Sequence, residues 1–395
     1  MPCEHNIPQK QGDFLTSSRR VLGPADLRDE IITRLSTASG DPAVTPHLDA
    51  RASQLESLMN IIADIPPESL AAPTADFPKN FKWPKISLVT AVYNGADFLD
   101  ATICSVLQQG YPNLEYIIVD DGSTDSTPDI IRKYEKYLSY TTRHSNRGLY
   151  ASLNVGYAQS SGEIMGWLNS SDMLHINSLF VVGSLFAELQ KVRWITGRPT
   201  VLSRTGLVVE VAPNLPRWSK LPTLLSTNMY VPGLPTSNQY IQQESTFWRR
   251  SLWEDAGAAL STDYRAEGDY ELWVRFFRHA ELYTVEALIG GYRRHEESLS
   301  SSNFSRYHRT CESVADREIA LTTHGALLRD FKRLTGALRK APGIRSLWDR
   351  IAVRGLYNFL SRSAPPPISY LGDRWVIGKQ PESRLDSHCP PIGDQ

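Results

Sequence analysis

From residue 84 the chain alternates strand and helix, and this alternation constrains its fold more than any other feature. "ISLVTAV" reads as a buried strand, after which Phe98, Leu99, Ile103, Val106 and Leu107 mark the apolar face of a helix. "EYIIV" is the next strand. "STDSTPDIIRKYEKYL" follows as a helix that Thr124 or Asp125 can cap and whose first turn tolerates Pro128. "YASLNVGYAQ" is a further helix and "IMGWL" a further buried strand. The pattern predicts an α/β fold with a mostly parallel sheet and helices on both faces. Ligands of such sheets sit at the carboxyl ends of the strands. There this chain carries "YNGAD", "DDGSTD" and "NSSDM", all polar, rich in small residues and acid-bearing.

Several function classes fall away. No G-x-G-x-x-G follows the first strand and no G-x-x-x-x-G-K-[ST] occurs, so neither a dinucleotide fold nor a P-loop is supported. A formal net charge of -1 over 395 residues argues against a nucleic-acid binder. Cys3, Cys104, Cys311 and Cys389 lie far apart without a CxxC pair, so neither a zinc site nor a disulfide framework is indicated, and a reducing, cytoplasmic location is expected. No secretion signal or membrane span can be read.

The ordered segments "VTAVYNGADFLDATICSVLQQGYPNLEYIIVDDGSTDST", "NRGLYASLNVGYAQSSGEIMGWLNSSDM", "QQESTFWRRSLWEDAG" and "GDYELWVRF" together resemble family 2 glycosyltransferases, the inverting enzymes of the GT-A fold. The resemblance covers roughly residues 84 to 300. It implies transfer of a sugar from a nucleotide-diphosphate donor (UDP, dTDP or GDP type) to an acceptor hydroxyl. The implied acceptor is a carbohydrate or lipid-linked one, in surface polysaccharide or glycolipid synthesis.

By that resemblance Ala91, Tyr93, Asp120, Asp121 and Asn169 meet the nucleotide, with Tyr93 and Asp121 on its uridine-type moiety. Independently, Tyr93 offers an aromatic face and Asp121 a carboxylate that can accept hydrogen bonds from a base edge. A hard Mn2+ or Mg2+ would bridge the phosphates. The resembled motif is D-x-D-D or N-x-D-D, yet here Ser171 stands at the usual metal-binding acid, between Asn169 and Asp172. Three readings are open. Asp172 takes over as ligand, with Asn169 or Ser171 supporting it; metal binds weakly, with the nucleotide present; or the site is metal-free and cations neutralise the diphosphate. The first two together are the expectation. Arg293, Arg294 and His295 are assigned to the diphosphate, His295 also to the metal.

Asp269 matches the general base in the family's E-D pair, where Gly268 replaces the glutamate and Glu267 lies one residue earlier. Its competing role is a helix N-cap. Gln243, Glu244 and Trp248 are assigned to the acceptor or donor sugar, Trp248 with buried packing as its alternative. Ser251 and Glu254 form a sequence capping box for the helix after "STFWR".

The ends match nothing in that family. Residues 1–83 read as an N-terminal helical extension and linker, with a one-faced apolar helix from Leu48 to Ile65 for packing on the neighbouring domain or, as the alternative, forming a homodimer seam. Residues 301–395 read as a helical, basic tail, in which 329–354 carries an excess of Lys and Arg. That segment either packs as a solvated helical face or rests peripherally on an anionic membrane. "SAPPPISY" reads as an extended linker into a mobile end. Two other function classes stay open: a catalytically silent nucleotide- or carbohydrate-binding scaffold, which would accept Ser171 readily, and a sugar nucleotidyltransferase.

Overall fold

The computed structural model describes residues 80–226, 240–296, 304–340, 364–371 and 374–378. The first elements are β1 (Ile86–Val92), α1 (Ala96–Leu107), β2 (Leu114–Asp120), α2 (Thr127–Tyr134), β3 (Tyr140–Arg143), α3 (Leu149–Ala158) and β4 (Ile164–Trp167), in the alternation the sequence predicts. Next come β5 (Met173–Leu174), α4 (Ser178–Glu188), β6 (Trp194–Thr196), β7 (Thr200–Leu202), β8 (Val208–Val211) and α5 (Lys220–Ser226). Then follow β9 (Thr246–Arg249), α6 (Arg250–Asp255), α7 (Gly268–Phe276), β10 (Leu282–Thr284), β11 (Gly290–Arg293), α8 (Phe304–Ala320), α9 (Gly325–Lys340), β12 (Ile368–Leu371) and β13 (Arg374–Ile377).

Seven strands form the main sheet in the order β10-β6-β9-β4-β1-β2-β3. Its pairs are parallel except where β9 runs antiparallel to β4 and β6. In the register, Val92 lies opposite Asp120 and Val89 opposite Trp167, so β1, β2 and β4 deliver their following loops to one edge. Side chains alternate across the sheet. Val89, Ala91, Ile117 and Val119 join a core with Tyr150, Leu153, Trp253 and Trp273 from α3, α6 and α7. Leu88, Val92, Tyr116 and Ile118, their neighbours in sequence, are equally buried. Both faces are therefore covered, as the unbroken apolar runs predict.

Trp248 sits at the centre of this core. It is fully buried, with ring centroids 5.6 Å from Trp167, 5.7 Å from Trp273 and 5.5 Å from Phe276. The assignment of Trp248 to a sugar subsite is thus corrected, because strand alternation turns it to the interior. The Ser251–Glu254 capping box is also absent. Helix α6 begins two residues earlier than that box requires, with Arg249 as N-cap, and the Ser251 hydroxyl accepts a hydrogen bond from Arg193 instead.

A second sheet, ordered β5-β11-β7-β8, lies beside the first. Its β5–β11 pairing, Gly291 opposite Met173, brings residues 293–295 next to "NSSD". Helix α8 packs on α5, α7 and α9, where Leu224, Leu225, Val274, Val314, Ala315 and Ile319 form a separate buried cluster. Each fully buried aliphatic side chain there contributes about 1.5–3 kcal/mol. Beside the cluster, Glu318 is paired with Lys220 at 2.8 Å and Arg278 at 2.6 Å. Burial would raise its pKa, but these hydrogen bonds prevail and hold it below the ordinary value.

"SAPPPISY" does not end as a linker. Its last residues enter β12, which pairs with β13, and Ile368 bridges to Val285. The Trp375 indole donates to Ser184 at 2.9 Å. Residues 1–79 and 341–354, with the expected amphipathic helix and half of the basic segment, lie outside the described residues. Among the described residues no helix is long and apolar enough to cross a membrane.

Candidate active site

A cleft of about 1360 Å³ opens at the strand ends where the three polar loops meet. Its lining includes Ala91, Tyr93, Asp121, Asn169, Ser171, Asp172, Gln243, Glu244, Asp269, Arg294 and His295, eleven of the residues proposed from sequence. Asp120, Trp248 and Arg293 stand outside the lining.

At the β1–β2 end the loops are tied together by short polar contacts. The Asn94 side-chain oxygen accepts the Thr124 amide at 2.8 Å, and the Asn94 amide donates to the Ser123 hydroxyl at 2.9 Å. Asp121 accepts the amides of Arg147 and Gly148, one on each oxygen, both at 2.8 Å. Gly148 adopts φ 93°, a left-handed conformation that glycine tolerates without cost. Asp120 turns away from the cleft, accepting the Ser123 amide at 2.9 Å and facing Arg143 at 3.2 Å. Of the acid pair, Asp121 is the one at the cleft, as the resemblance implies, and Asp120 holds the turn. Tyr93 is 50% exposed and lines the cleft.

The opposite wall carries the carboxyl groups without such partners. Asp269 lies in the first turn of α7, behind Glu267 as N-cap residue, so the N-cap alternative for Asp269 is not what the fold uses. Burial pushes its pKa up to about 7, helped by the charge of Glu267 and opposed by hydrogen bonds from the Tyr270 amide and its own. Tyr150, Tyr307 and Cys311 are all raised by their burial and then by the charge of Asp269, so these three groups surround it. The departure at Gly268 has a steric cause. Its amide donates to the Tyr150 hydroxyl at 2.8 Å, and a Cβ at this position would come within 2.6 Å of the Tyr150 ring. A glutamate cannot fit, and Glu267, which is 3% exposed, lies buried one residue earlier.

Glu244 is 4% exposed and its Oε1 has no hydrogen-bond partner among the described residues. Burial first, then the charges of Asp172 and Asp269, push its pKa well above the ordinary value. Like charges in one desolvated site oppose each other's ionisation, so Glu244 holds its proton more tightly than an ordinary carboxyl. Gln243 donates to the Trp167 carbonyl.

At "NSSD" the donors for a hard divalent ion come down to one carboxylate, Asp172, beside the unpartnered Oδ1 of Asn169. Asp172 is 1% exposed, and its oxygens accept the Arg293 amide at 2.9 Å and the Asn169 side-chain amide at 3.1 Å. Burial raises its pKa to about 6 against these two bonds and the Arg293 charge. Ser171 adds no charge, and among the described residues no three His, Cys, Asp or Glu side chains converge as metal ligands. His295, the other expected ligand, packs its ring 4.8 Å from Phe98.

Sequence reading missed Arg147, Tyr150, Tyr240, Arg306 and Tyr307, which all line the cleft. "NRGL" before a helix was a usable signal for the first two. Arg306 and Tyr307 belong to α8, beyond every motif, and only the fold brings them to Asp269.

The family model described as Glycosyl transferase family 2 matches residues 87–188. An uncharacterized glycosyltransferase of Rickettsia conorii is 27% identical over 242 residues, 60% of this chain and 38% of that protein, so this chain spans well under half its length. The poly-beta-1,6-N-acetyl-D-glucosamine synthase of Staphylococcus epidermidis is 30% identical over 128 residues, 32% of this chain and 31% of that one. Among solved structures, S. aureus TarS 1-349 in complex with UDP-GlcNAc superposes at TM-score 0.49 and 17% identity, over 69% of this chain and 80% of that chain. The matched segment contains β1 to α4 and all three polar loops, and over it, within this mostly parallel α/β sheet, the chain is similar to glycosyltransferase family 2.

Proposed function

We propose that this chain is an inverting transferase that moves a sugar from a nucleoside-diphosphate donor to an acceptor hydroxyl, with Asp269 as general base. The observation that carries the reading is Asp269 itself, a carboxyl poised near neutrality in the same cleft as the Asp121 loop. An ideal base has a pKa close to the working pH, and burial supplies that shift here.

The nucleotide rests at the β1–β2 end, where Tyr93 offers a ring face and Asp121 fixes the backbone of Arg147 and Gly148. Asp269 accepts the acceptor's hydroxyl proton as that oxygen bonds to the anomeric carbon. The bond to the nucleoside diphosphate breaks on the opposite side, and the configuration inverts. Glu244, buried and unpartnered on one oxygen, is placed to hydrogen-bond a sugar hydroxyl. The relative that makes a poly-N-acetylglucosamine supports a carbohydrate acceptor for this chain.

The test is turnover of UDP-, dTDP- and GDP-sugars with oligosaccharide and lipid-linked acceptors, using wild type and Asp269→Asn. A correct base predicts that the variant loses about 1000-fold in kcat, within the range for general-base removal, while keeping nucleotide affinity within about twofold. Unchanged turnover in the variant would remove Asp269 from the mechanism.

A further inference from the structure

The chemistry around Asp172 answers how a diphosphate is neutralised in this cleft. A buried carboxylate needs a counter-charge, and leaving it without one is strongly destabilising. In this chain Arg293 supplies it. Its amide binds Asp172 at 2.9 Å, and its guanidinium, in a residue 3% exposed, is attracted to the Asp172 charge. The position that would bring a second acid holds Ser171.

Around the same point the cations gather on one aromatic ring. Arg293 lies 5.1 Å and Arg204 4.9 Å from the Phe98 centroid, and the His295 ring packs at 4.8 Å. Such stacking fixes a guanidinium in place at little solvation cost. Arg293 Nε and Nη2 are buried donors without a hydrogen-bond partner among the described residues, and the anion that answers their charge is Asp172. Phe98, His295 and Arg294 line the cleft, and Arg294 is held loosely by exposed Glu210 at 3.3 Å. An exposed pair of that kind contributes little and yields readily to a phosphate.

Resting on the transferase reading above, we infer that the donor diphosphate is held by Arg294 and His295 at the cleft wall, that Arg293 is the resident counter-charge of Asp172, and that donor binding needs no divalent metal. Arg294, released from its exposed pair with Glu210, brings a full positive charge to a diphosphate without a bridging ion.

Calorimetric titration of the full chain with UDP, dTDP and GDP, each in millimolar Mn2+ and in excess chelator, tests this. The expected result is binding of one nucleotide with a Kd within about twofold in the two conditions, and about tenfold weakening in Arg294→Ala in both. Binding more than about tenfold weaker in chelator would overturn the inference and leave the transferase reading intact. So would an Arg294→Ala protein that binds as tightly as wild type. No binding of any nucleotide in either condition would overturn the transferase reading and this inference with it.

Discussion

The two walls of the cleft are built from opposite electrostatic materials. On the wall formed by β1, β2 and the loop before α3, every acid at hand is answered: Asp121 by two backbone amides, Asp120 by Ser123 and Arg143, Asp125 by the amides of Thr127 and Ala96. On the wall formed by the turn before β9 and the start of α7, Glu244 and Asp269 are buried with few partners and hold their protons more tightly than ordinary carboxyls. Satisfied acids make a rigid receptor. Unsatisfied ones make groups that can exchange protons, at a cost in stability. Under the transfer reaction proposed above, recognition falls to the first wall and chemistry to the second.

The largest effect expected from breaking this contrast is at Asp121. Replacement by alanine removes two hydrogen bonds from amides of an exposed loop to a buried carboxyl, each contributing about 0.5–1.5 kcal/mol. Asp121→Ala should therefore lose about 1–3 kcal/mol in denaturant unfolding and weaken nucleotide binding at least about tenfold. Full affinity in the variant would mean that the loop is not part of the receptor. Next comes Gly268→Ala. Its new methyl would meet the Tyr150 ring at 2.6 Å, and overpacking of this kind costs about 1–3 kcal/mol. Because Tyr150 walls Asp269, kcat should fall with stability, whereas the first-wall readout, nucleotide Kd, should stay put.

Much of the first wall was legible in the sequence. Buried strands declare themselves through unbroken apolar runs, and acids in small-residue loops at their ends declare a ligand edge. The second wall was less legible, because its character comes from burial, which distant segments confer. Nothing in "GDYELW" reveals that Tyr307, from a helix beyond the last motif, helps desolvate Asp269. Nothing in "STFWRR" tells which face of a four-residue strand receives Trp248. Ser171 was visible as a departure, but its meaning depended on Arg293, over a hundred residues away in sequence, arriving by way of the β5–β11 pairing.

The pH dependence sharpens the comparison further. Asp269 titrates at about 7 in the folded chain against an ordinary 3.8, so the native state binds its proton more tightly than the unfolded state. Its stabilising contribution is complete below about pH 4 and is lost as pH rises through about 7. Activity needs the ionised form and runs the other way, rising through about pH 7. Since one pKa unit corresponds to about 1.4 kcal/mol, the stability of Asp269→Asn relative to wild type should increase by about 2 kcal/mol between about pH 5.5 and pH 8. A difference that stays flat with pH would show that the carboxyl is not desolvated as the geometry implies.

The smallest expected effect is the most discriminating. Glu244 is neutral at pH 7 if burial and the neighbouring charges of Asp172 and Asp269 govern it. A glutamine is then nearly isosteric and equally uncharged, so Glu244→Gln should change stability by less than about 0.5 kcal/mol at that pH, as for a substitution that touches no critical interaction. If Glu244 instead carried charge balanced by a cation, removing that charge would leave a buried cation unpaired and cost about 3–5 kcal/mol. Transfer should still slow in Glu244→Gln, because an amide presents two donors and one acceptor where a carboxylic acid presents one donor, and a sugar hydroxyl placed against it reads the difference. A variant that folds like wild type but transfers more slowly would locate Glu244 on the substrate. One unaltered in both would return it to the scaffold, leaving Asp269 alone as the chemical group of its wall.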